Sequence, residues 1–134
     1  MAFKIKPRTE PFPWPVEVSS VAENGTIETQ RFKGLFHNIS TSEWERMIEG
    51  QSAYVKALEE NESTDGLLSQ RGMAERVWAG WPEGEILDDD GEPLPSNAAN
   101  IAKLLEVPDV VQAVIAAWSE SRDKSAKAKS RGRS

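Results

Sequence analysis

The residues whose types most suggest chemistry form an acidic run that ends on a glycine: Asp88, Asp89, Asp90 and Gly91. A calcium loop of the EF-hand type has oxygen ligands at positions 1, 3 and 5, glycine at 6 and glutamate at 12. With Gly91 at position 6, Asp88 and Asp90 take positions 3 and 5, whereas positions 1 and 12 hold Ile86 and Asn97. Because two ligands are missing, we predict an exposed acidic turn that binds no metal.

The other groups that could perform catalysis are isolated in sequence. His37 is the only histidine, and no serine nucleophile or pair of spaced carboxylates can be assigned to it. Cysteine is absent, which excludes cysteine-ligated zinc and disulfides. The glycines near the acidic run lack the spacing of a phosphate-binding loop. We therefore predict a protein without catalytic activity or cofactor.

The charge is distributed unevenly along the chain. The formal net charge is −6, but residues 122–134 carry +5 and residues 1–121 carry −11. The basic residues of this C-terminal segment are Arg122, Lys124, Lys127, Lys129, Arg131 and Arg133. They could contact phosphates, but no aromatic residue among them could stack on bases. A solubilising tail or an electrostatic contact with an acidic partner fits this composition better than specific recognition of nucleic acid.

Strand signals are concentrated near the N-terminus, after a proline-rich stretch. Four prolines within residues 7–15 predict an extended arm over residues 1–15. Asn24-Gly25 lies between β-branched residues and predicts a hairpin over residues 16–33, with strands at 16–22 and 26–33. A two-residue turn would place Ala22 opposite Ile27. Such a hairpin is marginally stable alone, so it must pack on helices or pair with another chain.

Helical signals dominate the remainder. Ser40 and Glu43 predict a helix start, followed by a periodic helix over about 41–60. A second helix is predicted around residues 67–78, a short third one after Ser96, and a fourth from Pro108. Residues 119–134 contain no aliphatic side chain larger than alanine and predict a basic disordered tail or a frayed extension of the last helix. The expected fold is therefore mainly α with an N-terminal β-hairpin, an α+β domain of about four helices spanning 16–118.

No segment approaches the roughly 20 consecutive apolar residues of a membrane span, and the N-terminus lacks a secretory signal pattern. We therefore expect a cytoplasmic protein that does not bind membranes.

The order of several short motifs carries more information than any one of them. TQRFKGLF at 29–36 is followed by an S-x-x-E helix start, RVWAGW at 76–81, DDGEPLP at 89–95 and NIAKLLEVPDVVQAV at 100–114. This order resembles the tail assembly chaperones of long-tailed bacteriophages and prophages. The resemblance covers roughly residues 29–118. The chain departs from the pattern at Ser96, where the family often has an aromatic residue, and in a longer 82–87 segment.

The resemblance implies a non-enzymatic protein of viral morphogenesis that acts in the cytoplasm of the infected host and is absent from the mature virion. Its partners would be the tape measure protein, which it would keep soluble, and tail tube protein subunits. A homo-oligomer, as a ring or spiral along the tape measure, would fit this role. The rival interpretations are a structural tail or head-completion protein of the virion and a small nucleic-acid-binding phage regulator that uses the basic tail.

Large apolar residues provide candidate contacts for such partners. Tryptophan is enriched at interfaces, and methionine adapts to irregular apolar surfaces. The candidate protein-binding residues are Trp78, Trp81, Trp118, Met47 and Met73. The same side chains also suit a hydrophobic core, and both interpretations stay open at the level of sequence.

Overall fold

The computed structural model describes residues 10–123. These residues form an α+β domain with an N-terminal antiparallel β-hairpin and four helices, which confirms the predicted fold class. Three strands form one sheet in the order β1-β2-β3. The elements along the chain are β1 (Phe12–Val21), β2 (Ile27–Phe36), α1 (Thr41–Glu59), α2 (Gln70–Val77), β3 (Trp78–Gly80), α3 (Ala98–Leu104) and α4 (Pro108–Arg122).

The hairpin forms around Asn24-Gly25 as predicted, but its register differs by one residue. Val21 pairs with Ile27, and the Ala22 N–H donates to the Thr26 carbonyl over 2.8 Å. The loop therefore holds three residues, 23–25, with Gly25 at φ 83°. The predicted pairing of Ala22 with Ile27 is wrong. The three-residue loop places its glycine in the left-handed conformation that follows a type I turn.

The predicted arm over residues 1–15 is also wrong at its C-terminal end, because β1 begins at Phe12 and includes Pro13 and Pro15. Ala22 and Thr26 form a hydrogen-bonded pair, and hydrogen-bonded pairs alternate along an antiparallel ladder. The backbone N–H and C=O groups of the even-numbered residues of β1 therefore bond to β2. The backbone groups of the odd-numbered residues point to the free edge of the sheet. Proline is tolerated on such an edge, where its missing N–H breaks no ladder bond.

Strand β3 was not predicted, since its residues continue the apolar pattern of the helix before them. Leu35 pairs with Gly80 and Phe36 with Trp78, and the His37 N–H donates to the Val77 carbonyl over 2.9 Å. Helix α2 accordingly stops at Val77, one residue before the predicted end, and it begins at Gln70, so the predicted start at residue 67 is wrong as well. Gly80, at φ 112°, ends the strand in a conformation that other residues adopt at a cost.

The helix boundaries follow the capping signals closely. Ser40 caps α1 by accepting the Glu43 N–H, and Pro108 is the first residue of α4, as predicted. Ser69 caps α2 in the same way through the Gly72 N–H. The cap of α3 is Asn97 and not the predicted Ser96, because the Ser96 hydroxyl accepts the Trp81 N–H instead.

The hydrophobic core lies between the inner face of the hairpin, α2 and α4. The inner face carries Val16 and Phe36, both 0% exposed. Helix α4 covers it with a continuous set of buried residues that includes Val111, Val114 and Trp118. The helix continues beyond the predicted domain end at residue 118, and Ser121 is buried. Among residues 10–123, no helix is long and apolar enough to cross a membrane.

Candidate functional site

The five residues predicted to contact a protein partner lie inside the domain. Their exposed fractions are 2% for Trp78, Trp81 and Trp118, 0% for Met47 and 4% for Met73. Each side chain therefore packs against other parts of the same chain, and none lies on the surface of the described fold. Burial favours the core interpretation of these residues; a partner contact through them stays a prediction.

Trp81 connects the core to the loop between β3 and α3. Its backbone N–H donates to Ser96 Oγ over 3.1 Å, and its indole Nε1–H donates to the Leu94 carbonyl over 2.9 Å. Its ring centroid lies 5.4 Å from that of Trp78, whose Nε1 is buried without a hydrogen-bond partner among the described residues. The two tryptophans thus fix the proline-rich end of the acidic loop against the sheet.

The acidic run forms a small hairpin of its own. The Asp88 N–H donates to the Glu92 carbonyl over 2.8 Å, and Asp88 Oδ1 accepts the backbone N–H groups of Asp90 and Glu92. Gly91 has φ 80°. The Asp88 carboxylate therefore stabilises its own turn, as Asx residues do. Within residues 10–123, no three His, Cys, Asp or Glu side chains form a metal-binding cluster.

Arg122 belongs to the folded domain. Its guanidinium lies 4.9 Å from the ring centroid of Trp44 and 5.1 Å from that of Trp118, and the two rings lie 4.6 Å apart. Cation–π contacts of this kind attach the end of α4 to the start of α1. The other five basic residues predicted for electrostatic contact lie outside the described residues: Lys124, Lys127, Lys129, Arg131 and Arg133.

A carboxylate at the start of α1 connects it to α2. Glu43 accepts hydrogen bonds from Arg46 over 2.9 Å and from Arg76 over 3.0 Å. The Arg46 hydrogen bond, followed by the Arg76 contact, lowers the pKa of Glu43 below its usual value. A lowered pKa in the folded state means that this contribution to stability is present near neutral pH and is lost as pH falls through the folded pKa.

The most exposed large apolar side chains lie at the distal end of the hairpin. Val21 and Ile27 are paired across the strands and are 74% and 73% exposed. At this end β1 has no strand on its outer side within residues 10–123. By the alternation described above, the N–H groups of Glu17, Ser19 and Val21 point to this free edge. An exposed edge with apolar ends can pair with an extended segment of another chain.

An open groove extends this surface toward the base of the hairpin. It has a volume of about 390 Å³ and is lined by Pro13, Trp14, Pro15, Arg31, Phe32, Lys33 and Glu85. Pro15 lies opposite Lys33, and both belong to the face that points away from the core. Glu85 Oε1 accepts the Lys33 N–H over 2.5 Å. The carboxylate thereby binds a backbone donor of β2 just beyond the residues that pair with β3.

We call the distal strands, residues 17–21 and 27–31, the hairpin tip. Sequence reasoning identified the hairpin and its free edge but not this concentration of exposed apolar area. The sequence signal for this area is that Val21 and Ile27 lie on either side of the turn. The predicted two-residue turn pairs Ala22 with Ile27 and therefore does not bring Val21 and Ile27 opposite each other.

No family model matches the chain, and neither the curated proteins nor the solved structures give a significant match.

Proposed function

We propose that this protein is a bacteriophage tail assembly chaperone that binds the tape measure protein, keeps it soluble and helps to recruit tail tube subunits. In this role it acts in the host cytoplasm as a binding protein and not as an enzyme. It leaves the assembly before the virion is complete.

The observation that carries the proposal is that the motifs behind the family resemblance meet in one structural unit. Phe32 of the TQRFKGLF motif lies 6.0 Å from Trp78 of the RVWAGW motif, measured between ring centroids. Trp81 of the same motif binds Leu94 of the DDGEPLP motif. Segments that are dispersed over residues 29–118 therefore depend on one another for packing. This dependence supports a common folding unit over an accidental series of short matches.

The hairpin tip supplies a contact surface for this role. A chaperone for a long apolar protein needs exposed apolar groups that do not destabilise its own fold, because it must bind and release its client. Val21 and Ile27 meet this requirement, since both are largely exposed and neither belongs to the hydrophobic core.

The decisive experiment is coexpression of this chain with the tape measure protein of the same phage or prophage, followed by a solubility assay and pull-down. We expect the tape measure to be soluble and captured only when the chain is present. A double substitution, Val21→Lys with Ile27→Lys, should abolish capture without unfolding the domain. The matched control adds two lysines to the exposed side of α4, Gln112→Lys with Ala116→Lys, and should leave capture intact.

Two outcomes contradict the proposal. If the tape measure stays insoluble and is not captured, the chaperone function is wrong. If the chain is then found in purified particles, it is a structural virion component. Capture that survives the hairpin substitutions but is lost with the α4 control would keep the function and move the contact to α4.

A further inference from the structure

The loop that closes the β1–β2 hairpin places a labile pair of residues in solvent. Asn24 and Gly25 are both exposed, and Asn24 is the only asparagine of the chain that precedes a glycine. Asparagine is thermolabile, because the backbone nitrogen of the next residue can attack its carboxamide. Having both reactants in one turn favours such an intramolecular attack. Gly25 has no side chain to shield its nitrogen, and nothing lies within 4 Å of the position that its Cβ would take.

Two hydrogen bonds from Thr26 hold the Asn24 carboxamide in place. Asn24 Oδ1 accepts the Thr26 backbone N–H over 3.2 Å and the Thr26 hydroxyl over 2.7 Å. The first of these is the bond of an Asx turn, in which the side chain folds back along its own backbone. The carboxamide is therefore kept close to the peptide bond between Asn24 and Gly25, which contains the nitrogen that attacks it.

The two Thr26 donors point at the atom that gains charge in this reaction. The Gly25 nitrogen loses its proton to solvent hydroxide and bonds to Asn24 Cγ, and the electron pair of the C=O bond moves onto Oδ1. Donors that are already in place stabilise such an oxyanion. The oxyanion then collapses, the Cγ–Nδ2 bond breaks, and ammonia leaves with a proton from water. Water opens the resulting succinimide ring at either carbonyl carbon and gives aspartate or isoaspartate.

One contact opposes the attack and makes it slow. The Gly25 N–H donates to the Ala22 carbonyl over 2.9 Å, so this bond must open before the nitrogen can lose its proton. The opening is confined to the loop at residues 23–25, because the hydrogen bond between Ala22 and Thr26 lies below it. Local opening of an exposed loop costs much less free energy than global unfolding.

We propose that Asn24 is a site of spontaneous covalent modification, at which the side chain converts to isoaspartate and aspartate, and that Thr26 accelerates the conversion by donating to Oδ1. Both products place a new carboxylate in the shallow groove that Glu23 and Glu28 also line. Isoaspartate in addition inserts one carbon into the backbone of the turn. Aged and newly made copies of the chain therefore differ where the two strands join.

This proposal concerns the purified chain alone and does not depend on the tape measure. Its failure is therefore distinguishable from a failure of the proposed function.

The first test is peptide mapping of the full chain after weeks at neutral pH. Trypsin cuts after Arg8 and Arg31, and the peptide between them contains Asn24 as its only asparagine and no aspartate. We expect mass spectrometry to show that NH₂ is replaced by OH in this peptide, and chromatography to resolve the isoaspartate and aspartate forms.

The other asparagines are internal controls, because bulkier residues follow them: Asn38, Asn61, Asn97 and Asn100. Their peptides should stay unmodified over the same time. If the Asn24 peptide keeps its carboxamide, or changes no faster than the control peptides, the proposal is wrong.

The second test isolates the Thr26 hydroxyl. Thr26→Val keeps the branched shape and the backbone N–H but removes the hydroxyl, and it should slow the conversion about three- to tenfold. This is less than the loss of a donor from a buried oxyanion site, because the turn lies in water. Thr26→Ser restores a hydroxyl and should convert at about the wild-type rate. Circular dichroism establishes that both variants are folded.

Unfolding the chain separates geometry from local sequence. In guanidinium chloride the two Thr26 hydrogen bonds are lost, so wild type and Thr26→Val should convert at the same rate. Equal rates in the folded chains, or a difference between the two that persists in guanidinium chloride, would overturn the role of Thr26.

Discussion

The two halves of one hairpin have opposite environments. At the base, Val16 and Phe36 are completely buried beneath α4, whereas at the tip Val21 and Ile27 are more than 70% exposed. The same two strands supply both pairs, and strand propensity does not distinguish them. The difference depends on the face of the sheet that each pair occupies. Side chains alternate between the two faces along a strand, so the even-numbered Val16 and Phe36 face the helices, whereas the odd-numbered Val21 and Ile27 face away from them. A strand residue is stabilising on the face that a second layer covers, and it is available for binding on the face that no layer covers.

The largest effect that tests this contrast is expected at the base. Phe36→Ala removes a fully buried ring that lies 6.0 Å from Phe12. We expect it to lower the free energy of unfolding by about 3–5 kcal/mol, as measured by urea denaturation. A loss near that of an exposed substitution would mean that the base does not form the packed layer described above.

A smaller loss is expected from overpacking the same region. A Cβ added at Gly34 would lie 2.9 Å from Val16 Cγ2 and 3.0 Å from Phe36 Cε2. Gly34→Ala should therefore lower the free energy of unfolding by about 1–3 kcal/mol. In a Val16→Ala background the penalty should shrink, because the methyl group that causes the closest contact is gone. Additive losses in this double-mutant cycle would contradict the steric explanation.

The turn at the hairpin tip should respond to backbone conformation alone. Gly25 has φ 83° with nothing within 4 Å of an added Cβ. Gly25→Ala should lower the free energy of unfolding by about 1 kcal/mol through left-handed strain. Gly25→Asn should cost less, because asparagine tolerates this conformation. Equal losses for the two variants in thermal unfolding would argue against strain as the cause.

The smallest effect is expected from shortening the exposed pair. Val21→Ala and Ile27→Ala should each change the free energy of unfolding by no more than about 0.5 kcal/mol, because these side chains are already in water. Urea denaturation of these two variants and of Phe36→Ala under the same conditions gives the free energies of unfolding to be compared. A loss above 1 kcal/mol at either position would show that the tip is packed in solution and is not a free contact surface.

Local signals in the sequence predicted the helices and the existence of the hairpin. Ser40 and Pro108 mark the starts of α1 and α4 because capping and the absent proline donor act within one turn. Asn24-Gly25 located the reversal of the chain for the same local reason. The fold class follows from these elements, since a hairpin must be covered and the helices are what remains to cover it.

The features that were missed depend on contacts between distant segments. Trp78 continues the apolar pattern of α2, and only its pairing with Phe36 makes it part of β3. Ser96 has the chemistry of a helix cap, but the Trp81 N–H takes its hydroxyl, and Asn97 performs the capping. The tryptophans suited both a core and an interface by composition. Their burial depended on α4 lying over the hairpin, which no single segment specifies.

The indole rings also give this protein an intrinsic optical signal. Trp44 and Trp118 lie 4.6 Å apart, and Trp78 and Trp81 lie 5.4 Å apart, measured between ring centroids. Chromophores at such separations exchange excitation, so each pair should give a coupled band in near-ultraviolet circular dichroism. One pair reports the junction of α1 with α4, and the other reports the sheet and the acidic loop. Substituting the tryptophans of one pair leaves the band of the other pair. Loosening of each region can thus be followed separately, without an added label.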